Sequence, residues 1–234
     1  TYESLRPVSD FSVLAFSVAF ETELAGLIRV LELAGVPALA VDRDETHPFV
    51  VAGGPLTFSN PLPLAPFVDA ILIGEADETV HAAIDAIFSA SSRADARTRL
   101  ANGIASCYVP QLHDGHLPVL GHCADELLPA WSPMTTPHTE LRNMFLIEAA
   151  RGCSRGCRYC VMRRSTNGGM RIVPKDRILG LVPDSAKRVG LVGAAVSDHP
   201  DIVEIVEHLA DSGRQVGLSS LRPNRLNDPL AAAI

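Results

Sequence analysis

The 234-residue sequence has no apolar run approaching the length of a membrane span, and no basic-then-apolar opening of a secretory signal. A membrane is therefore not expected among its partners. No internal repeat and no low-complexity segment is present, which excludes solenoid and fibrous classes. Cysteine is scarce: five residues, an odd number, three of them within eight positions. That leaves no sensible disulfide framework and points to a reducing, cytoplasmic setting in which thiolates bind metal. Positive charge is short, with 20 Lys and Arg against 27 Asp and Glu, for a net −7. The deficit argues against nonspecific nucleic-acid binding by the whole surface.

With hydrophobic residues at 47% and charged residues at 20%, the composition is that of a globular protein with a real core. The chain opens on Thr1 and closes on "DPLAAAI", which reads like the start of a helix. The expectation is a piece of a longer protein, and on that reading a missing targeting signal carries little weight.

Short β-branched runs alternate with helical periods. "FSVLAFSVAF" (Phe11 to Phe20) reads as a buried strand. Thr22 can cap a helix with Leu24, Leu27, Ile28, Leu31 and Ala34 on one face, stopped by Gly35 and Pro37. "PALAV" and "FVVAGGP" read as further strands, and "DAILIGEADE" as one ending in Gly74, with a helix from Glu75 to Ala90. "GIASCYVPQLHDGHLPVLG" predicts an extended ribbon turning at Asp114-Gly115. Prolines 129, 133 and 137 mark a linker. Beyond it "NMFLIEAA", "RVGLVGAA" and "QVGLSSL" are strands, the last two separated by a helix carrying Ile202, Val203, Ile205, Val206, Leu209 and Ala210. The fold class is α/β: a parallel-sheet unit over 1–122 with a carboxyl-terminal ribbon, a linker over 123–142, and a second α/β unit over 143–234. In such sheets ligands bind beyond the carboxyl ends of the strands.

The chemistry concentrates in "RGCSRGCRYC", Arg151 to Cys160, where Cys153, Cys157 and Cys160 are spaced C-x-x-x-C-x-x-C. A thiolate is a soft ligand, and three on one glycine-bearing loop can converge on one metal centre. Structural zinc wants four ligands in two pairs, and the second pair is not visible; Cys107 and Cys123 have fifteen residues between them and lie outside the second expected unit. Four thiolates normally hold a 4Fe–4S cluster, so three leave one iron with an open position for a cofactor or substrate. From Arg151 to Arg177 the chain carries eight basic residues against Asp176, so that segment is +7 and the remainder −14. It reads either as a solvated loop or as a docking surface.

The run Arg151 to Cys160 resembles the cluster-binding motif of radical S-adenosylmethionine enzymes, including the aromatic Tyr159 before the last cysteine. The resemblance implies a partial (β/α) barrel whose first strand delivers the loop. It implies a 4Fe–4S cluster on Cys153, Cys157 and Cys160, with S-adenosyl-L-methionine chelated at the open iron. It implies reductive cleavage of that cofactor to a 5′-deoxyadenosyl radical. Tyr159 would lie near the adenine, Gly193 and Ala194 would supply backbone contacts, and Ser219 and Arg222 would end the third strand beside the cofactor. The family's Gly-Gly-Glu-like stretch corresponds to "GAAVSD", which lacks the acidic side chain at that place. About three of the usual six barrel strands fit between Phe145 and Ile234. The catalytic residues that would act on a substrate are unknown.

The first 122 residues resemble the cobalamin-binding-like domain preceding the barrel in one branch of these enzymes, with "FVVAGGP" and "LIGEADE" as its glycine loops. No Asp-x-His-x-x-Gly ligand motif accompanies them: "DGHLPVLG" has Asp114 and His116 but Val119 where the glycine belongs. Cobalamin as a cofactor is left open. A low-potential electron donor such as a flavodoxin or ferredoxin is the implied partner, the substrate is unknown, and the basic segment keeps nucleic acid open. One alternative is a transfer-RNA methylthiotransferase-like enzyme, against which the shortage of cysteines before the linker weighs. Another, from a different class, is a non-enzymatic iron–sulfur or zinc module. His47, His113, His122 and His138 read as solvated, Cys107 as a small core residue.

Overall fold

A computed structural model describes residues 4–161 and 169–233. The chain divides into two compact units, Thr1–Cys123 and Ala124–Ile234.

The first unit is a four-stranded sheet in the order β1 (Val13–Ser17), β2 (Phe49–Gly53), β3 (Ala70–Leu72), β4 (Cys107–Tyr108). The first three strands are parallel and β4 is antiparallel. Both faces of β2 are covered, which is why it reads as a continuous apolar run and not an alternating one. Val50 and Ala52 face a core with Leu27 and Leu31 of helix α1 (Leu24–Leu33). Phe49 and Val51 face another with Ala83 of α2 (Thr79–Phe88) and Ala96 and Leu100 of α3 (Arg93–Gly103).

Three local expectations are corrected. Thr22 does not cap α1; it lies in a 3-10 turn, Glu21–Glu23, and Glu23 instead accepts from the Ala19 N–H at 2.6 Å. "PALAV" contains a 3-10 turn, Ala40–Asp42, that feeds Arg43 inward to the Phe67 carbonyl. The segment 104–121 is no self-paired ribbon. Pro110 opens a short helix, α4 (Pro110–His113), and Asp114 and Gly115 follow at positive φ. Because that helix interrupts the run, Tyr108 pairs with Ile71, and Gly121 bridges Gly74. Helix α3 comes in addition, and Ser92 and Asp95 carry its capping signature. The Ser92 hydroxyl accepts the Asp95 N–H at 3.1 Å, and Asp95 accepts the Ser91 N–H at 2.9 Å.

The second unit carries a three-stranded parallel sheet, β5 (Phe145–Glu148), β8 (Arg188–Val192), β9 (Gln215–Leu218), in that order. Between β5 and β8 the chain forms an antiparallel ribbon, β6 (Ala150–Gly152) with β7 (Met170–Ile172), and then helix α5 (Lys175–Leu181). Helix α6 (Ile202–Asp211) buries Ile202, Ile205, Val206 and Leu209, the 3.6-residue stripe read from its sequence. It stops at Gly213, whose φ of +78° lets the Arg214 N–H turn back to the Leu209 carbonyl. A last helix, α7, runs Asp228–Ala233. Within the stretch read as a linker, residues 130–132 lie along β5: the Ser132 N–H donates to Leu146 and the Glu148 N–H to Ala130. Trp131 rests its ring on Phe145, centroids 6.0 Å apart.

Candidate functional site

The cysteine loop starts one residue past the β6 strand end. Gly152, at φ +86°, turns the chain out of the ribbon, a conformation that L side chains resist. All three thiols are free; Cys153 is half-buried and Cys157 and Cys160 are exposed. The Arg155 N–H donates to Cys153 Sγ at 3.4 Å, and the Cys160 N–H to the Cys157 carbonyl at 3.2 Å. The second contact closes a tight turn, and all three sulfurs belong to one eight-residue segment. Its base is fixed by Arg151, whose Nε and Nη2 grip Glu148 at 2.8 and 2.9 Å, both side chains largely buried. Tyr159 is 92% exposed, its ring available to a ligand.

At the carboxyl ends of β8 and β9, Gly193 and Ser219 meet directly. The Gly193 N–H donates to Ser219 Oγ at 3.1 Å, and the Ser219 and Ser220 hydroxyls donate to the Gly193 carbonyl at 3.1 and 2.8 Å. The Val196 N–H reaches Ser220 Oγ at 3.3 Å, and the Arg222 N–H reaches Ser197 Oγ at 2.9 Å. The segments after β8 and β9 are thus laced side chain to backbone, with Ala194 exposed between them. Gly193 is required here by space, since a Cβ would stand 2.7 Å from the Ala150 carbonyl oxygen.

The residue that sequence reasoning passed over is Asp198. Its carboxylate, 3% exposed, receives Arg222 Nη1 at 2.7 and 2.5 Å and Arg225 Nε at 3.0 Å. Arg155 Nε from the cysteine loop stands 4.0 Å away. Burial alone would raise the Asp198 carboxyl, but hydrogen bonds from Arg222 and Arg225 and their positive charge hold it below the usual carboxylate range. The sequence carried one signal for it, the acidic residue closing "GAAVSD", five positions past Gly193. Arg222, expected beside the cofactor, is occupied by Asp198 and by Asn224 at 3.1 Å.

The basic segment is partly neutralised at close range. Arg151 pairs with Glu148, Arg171 with Asp125 at 2.9 Å, and Lys175 with Glu204, while Arg177 donates to the Glu126 carbonyl. Arg163 and Arg164 lie outside the described residues.

The donor chemistry fits an iron–sulfur cluster. The three thiols sit on one accessible loop beside a sulfur-directed N–H, and a cluster takes each thiolate on a different iron, so it does not need them in mutual contact. The chain's remaining cysteines are buried. Burial pushes the Cys107 thiol up to about 12, which keeps it protonated and disfavours it as a ligand. Glu75, Asp77 and Cys123 bring one ligand atom each within 4.8 Å of one another; there Glu75 already accepts the Cys123 N–H at 2.9 Å. His47 is turned onto Asp44 at 2.8 Å, and His113 accepts the Val109 N–H while stacking on Tyr108. Among the described residues no helix is long and apolar enough to cross a membrane.

Comparison with known proteins gives two findings. An uncharacterized protein of Methanocaldococcus jannaschii is 24% identical over 97% of this chain. The chain spans 48% of that relative's length, about half. The family model for radical SAM proteins, N-terminal, matches residues 1–110, which supports a relationship to the radical SAM proteins.

Proposed function

We propose that this chain is part of a radical S-adenosylmethionine enzyme, with Cys153, Cys157 and Cys160 as ligands of a 4Fe–4S cluster. The observation that carries the reading is the trio of free thiols on one turned loop at the strand ends, joined to a family match covering the other unit. When bound, the cluster and S-adenosyl-L-methionine would supply one-electron chemistry, the reductive cleavage of the sulfonium to methionine and a 5′-deoxyadenosyl radical.

The chain's own residues bind and orient. The cysteines would hold three irons and leave one position open. Tyr159 would lay its exposed ring on the adenine, and Ala194, the exposed backbone past Gly193, would border the cofactor. Ser219 and Arg222 would act in this reading as the scaffold beneath that surface, since their polar atoms are engaged with Gly193, Asp198 and Asn224. The first unit would be a cobalamin-binding-like domain; its sheet and glycine turns suit that role, and no protein imidazole is assigned to cobalt.

The experiment is anaerobic reconstitution with iron and sulfide, followed by the visible spectrum and assay of 5′-deoxyadenosine under strong reduction. An iron–sulfur spectrum lost on serine substitution of Cys153, Cys157 or Cys160, but kept on substitution of Cys107 or Cys123, is the expected result. Zinc in place of iron, with no deoxyadenosine, would overturn the reading in favour of a structural metal module. A flavodoxin or ferredoxin would deliver the electron. If it docks on the basic segment, donor-driven reduction should slow with salt, whereas reduction by dithionite should not.

A further inference from the structure

Arg155 sits between the first two thiols and has two contacts that point in different directions. Its N–H donates to Cys153 Sγ at 3.4 Å, and its guanidinium Nε lies 4.0 Å from Asp198 Oδ2. The Arg155 side chain is half exposed. Asp198, in contrast, is held from behind. Two bonds from Arg222 and one from Arg225 lock its carboxylate, and the Ser197, Ser219 and Ser220 hydroxyls tie the segments carrying those residues together.

We propose that Asp198 is a positioning residue for the cysteine loop, acting through Arg155, whose N–H it keeps aimed at the Cys153 sulfur. The inference rests on the reading of the loop as a cluster site. One consequence follows from the chemistry: a hydrogen bond to a ligand sulfur tunes the reduction potential. A purely structural Asp198 would instead stabilise the ends of β8 and β9 without any specific effect on Cys153.

The test uses the 234-residue chain with Asp198→Asn, Asp198→Glu, Arg155→Gln and the Asp198→Asn, Arg155→Gln double variant. After reconstitution with ferrous iron and sulfide, iron content, the midpoint potential and the electron paramagnetic resonance spectrum of the reduced cluster are measured. Asp198→Asn and Arg155→Gln should each lower iron content several-fold, move the potential from the wild-type value and change the spectrum in the same way, since both release the same N–H. The double variant should be no worse than either single one, and Asp198→Glu should recover part of the loss. Wild-type potential and spectrum in both single variants, or strictly additive effects, would overturn the inference while leaving the cluster reading standing. In the metal-free chain the same anchor is read by iodoacetamide labelling of Cys153, followed by mass spectrometry. Labelling should quicken several-fold in each single variant and no further in the double. An unchanged rate refutes the anchor even where no variant takes up iron, and Arg155→Gln, at an exposed side chain, covers the case in which Asp198→Asn fails to fold.

Discussion

Gly74 lies so close to Gly121 that a Cβ on Gly74 would stand 2.5 Å from the Gly121 carbonyl oxygen and 2.6 Å from its nitrogen. The Gly121 N–H bonds the Ile73 carbonyl, and the Gly121 carbonyl accepts from Glu75, so the backbone there cannot step aside. With φ at +94° as well, Gly74→Ala should destabilise the first unit by about 1–3 kcal/mol in urea unfolding. Gly26, in the interior of α1 with nothing within 4 Å of a Cβ, is the control. Gly26→Ala should stabilise by about 0.5–1 kcal/mol. A gain from Gly74→Ala comparable to that from Gly26→Ala would show that the Gly74 turn relaxes freely.

Asp69 is fully buried beneath three arginines: Arg93 at 2.7 Å, Arg97 at 2.5 Å and Arg43 at 3.9 Å. It also accepts the Val50 N–H at 2.8 Å, tying the charge cluster to β2. Asp69→Ala removes the one carboxylate and strands the buried Arg43, whose pKa burial already lowers. Breaking a buried pair this way should cost about 3–5 kcal/mol, seen as a fall in the urea midpoint. A loss below about 1 kcal/mol would mean that water reaches the cluster.

Acid should weaken the first unit through Asp44 and Asp95. A side-chain hydrogen bond from Thr46 leads the causes that hold Asp44 at about 2, and one from Arg99 leads those that hold Asp95 at about 2. Both values are depressed below the unfolded carboxylate value of about 3.9. Their contribution is therefore complete above that value and is lost as pH falls from about 4 through about 2. Carboxyl resonances followed by NMR should titrate near 2 for these two residues. Ordinary values for both would remove them from the acid transition.

The five thiols should separate by reactivity at pH 8. Cys157 and Cys160 are exposed and should alkylate first, while Cys107, buried on β4 with its thiol pushed up to about 12, should wait for denaturant. Mass spectrometry of peptides after timed iodoacetamide treatment distinguishes them. Early labelling of Cys107 would show that β4 opens readily from the sheet.

Much of this protein was legible along the chain. Local periodicity determined the α/β alternation, because a 3.6-residue stripe such as that of α6 and an apolar run such as that of β2 each bury one way only. Spacing determined the ligand candidates as well: Cys153, Cys157 and Cys160 share a loop whatever the rest of the chain does. What only tertiary structure decided is pairing across distance. Tyr108 left its expected ribbon because Pro110 started a helix and β3 offered an edge. Arg93, Arg97 and Arg43 met Asp69 from segments up to 54 positions apart, which no local pattern encodes. The basic run from Arg151 to Arg177 looked like free charge until folding brought Glu148, Asp125 and Glu204 against it. Asp198 is the clearest case: its sequence neighbours are ordinary, and its place beside Arg155, Arg222 and Arg225 exists because parallel strands deliver their carboxyl ends to one edge of the sheet.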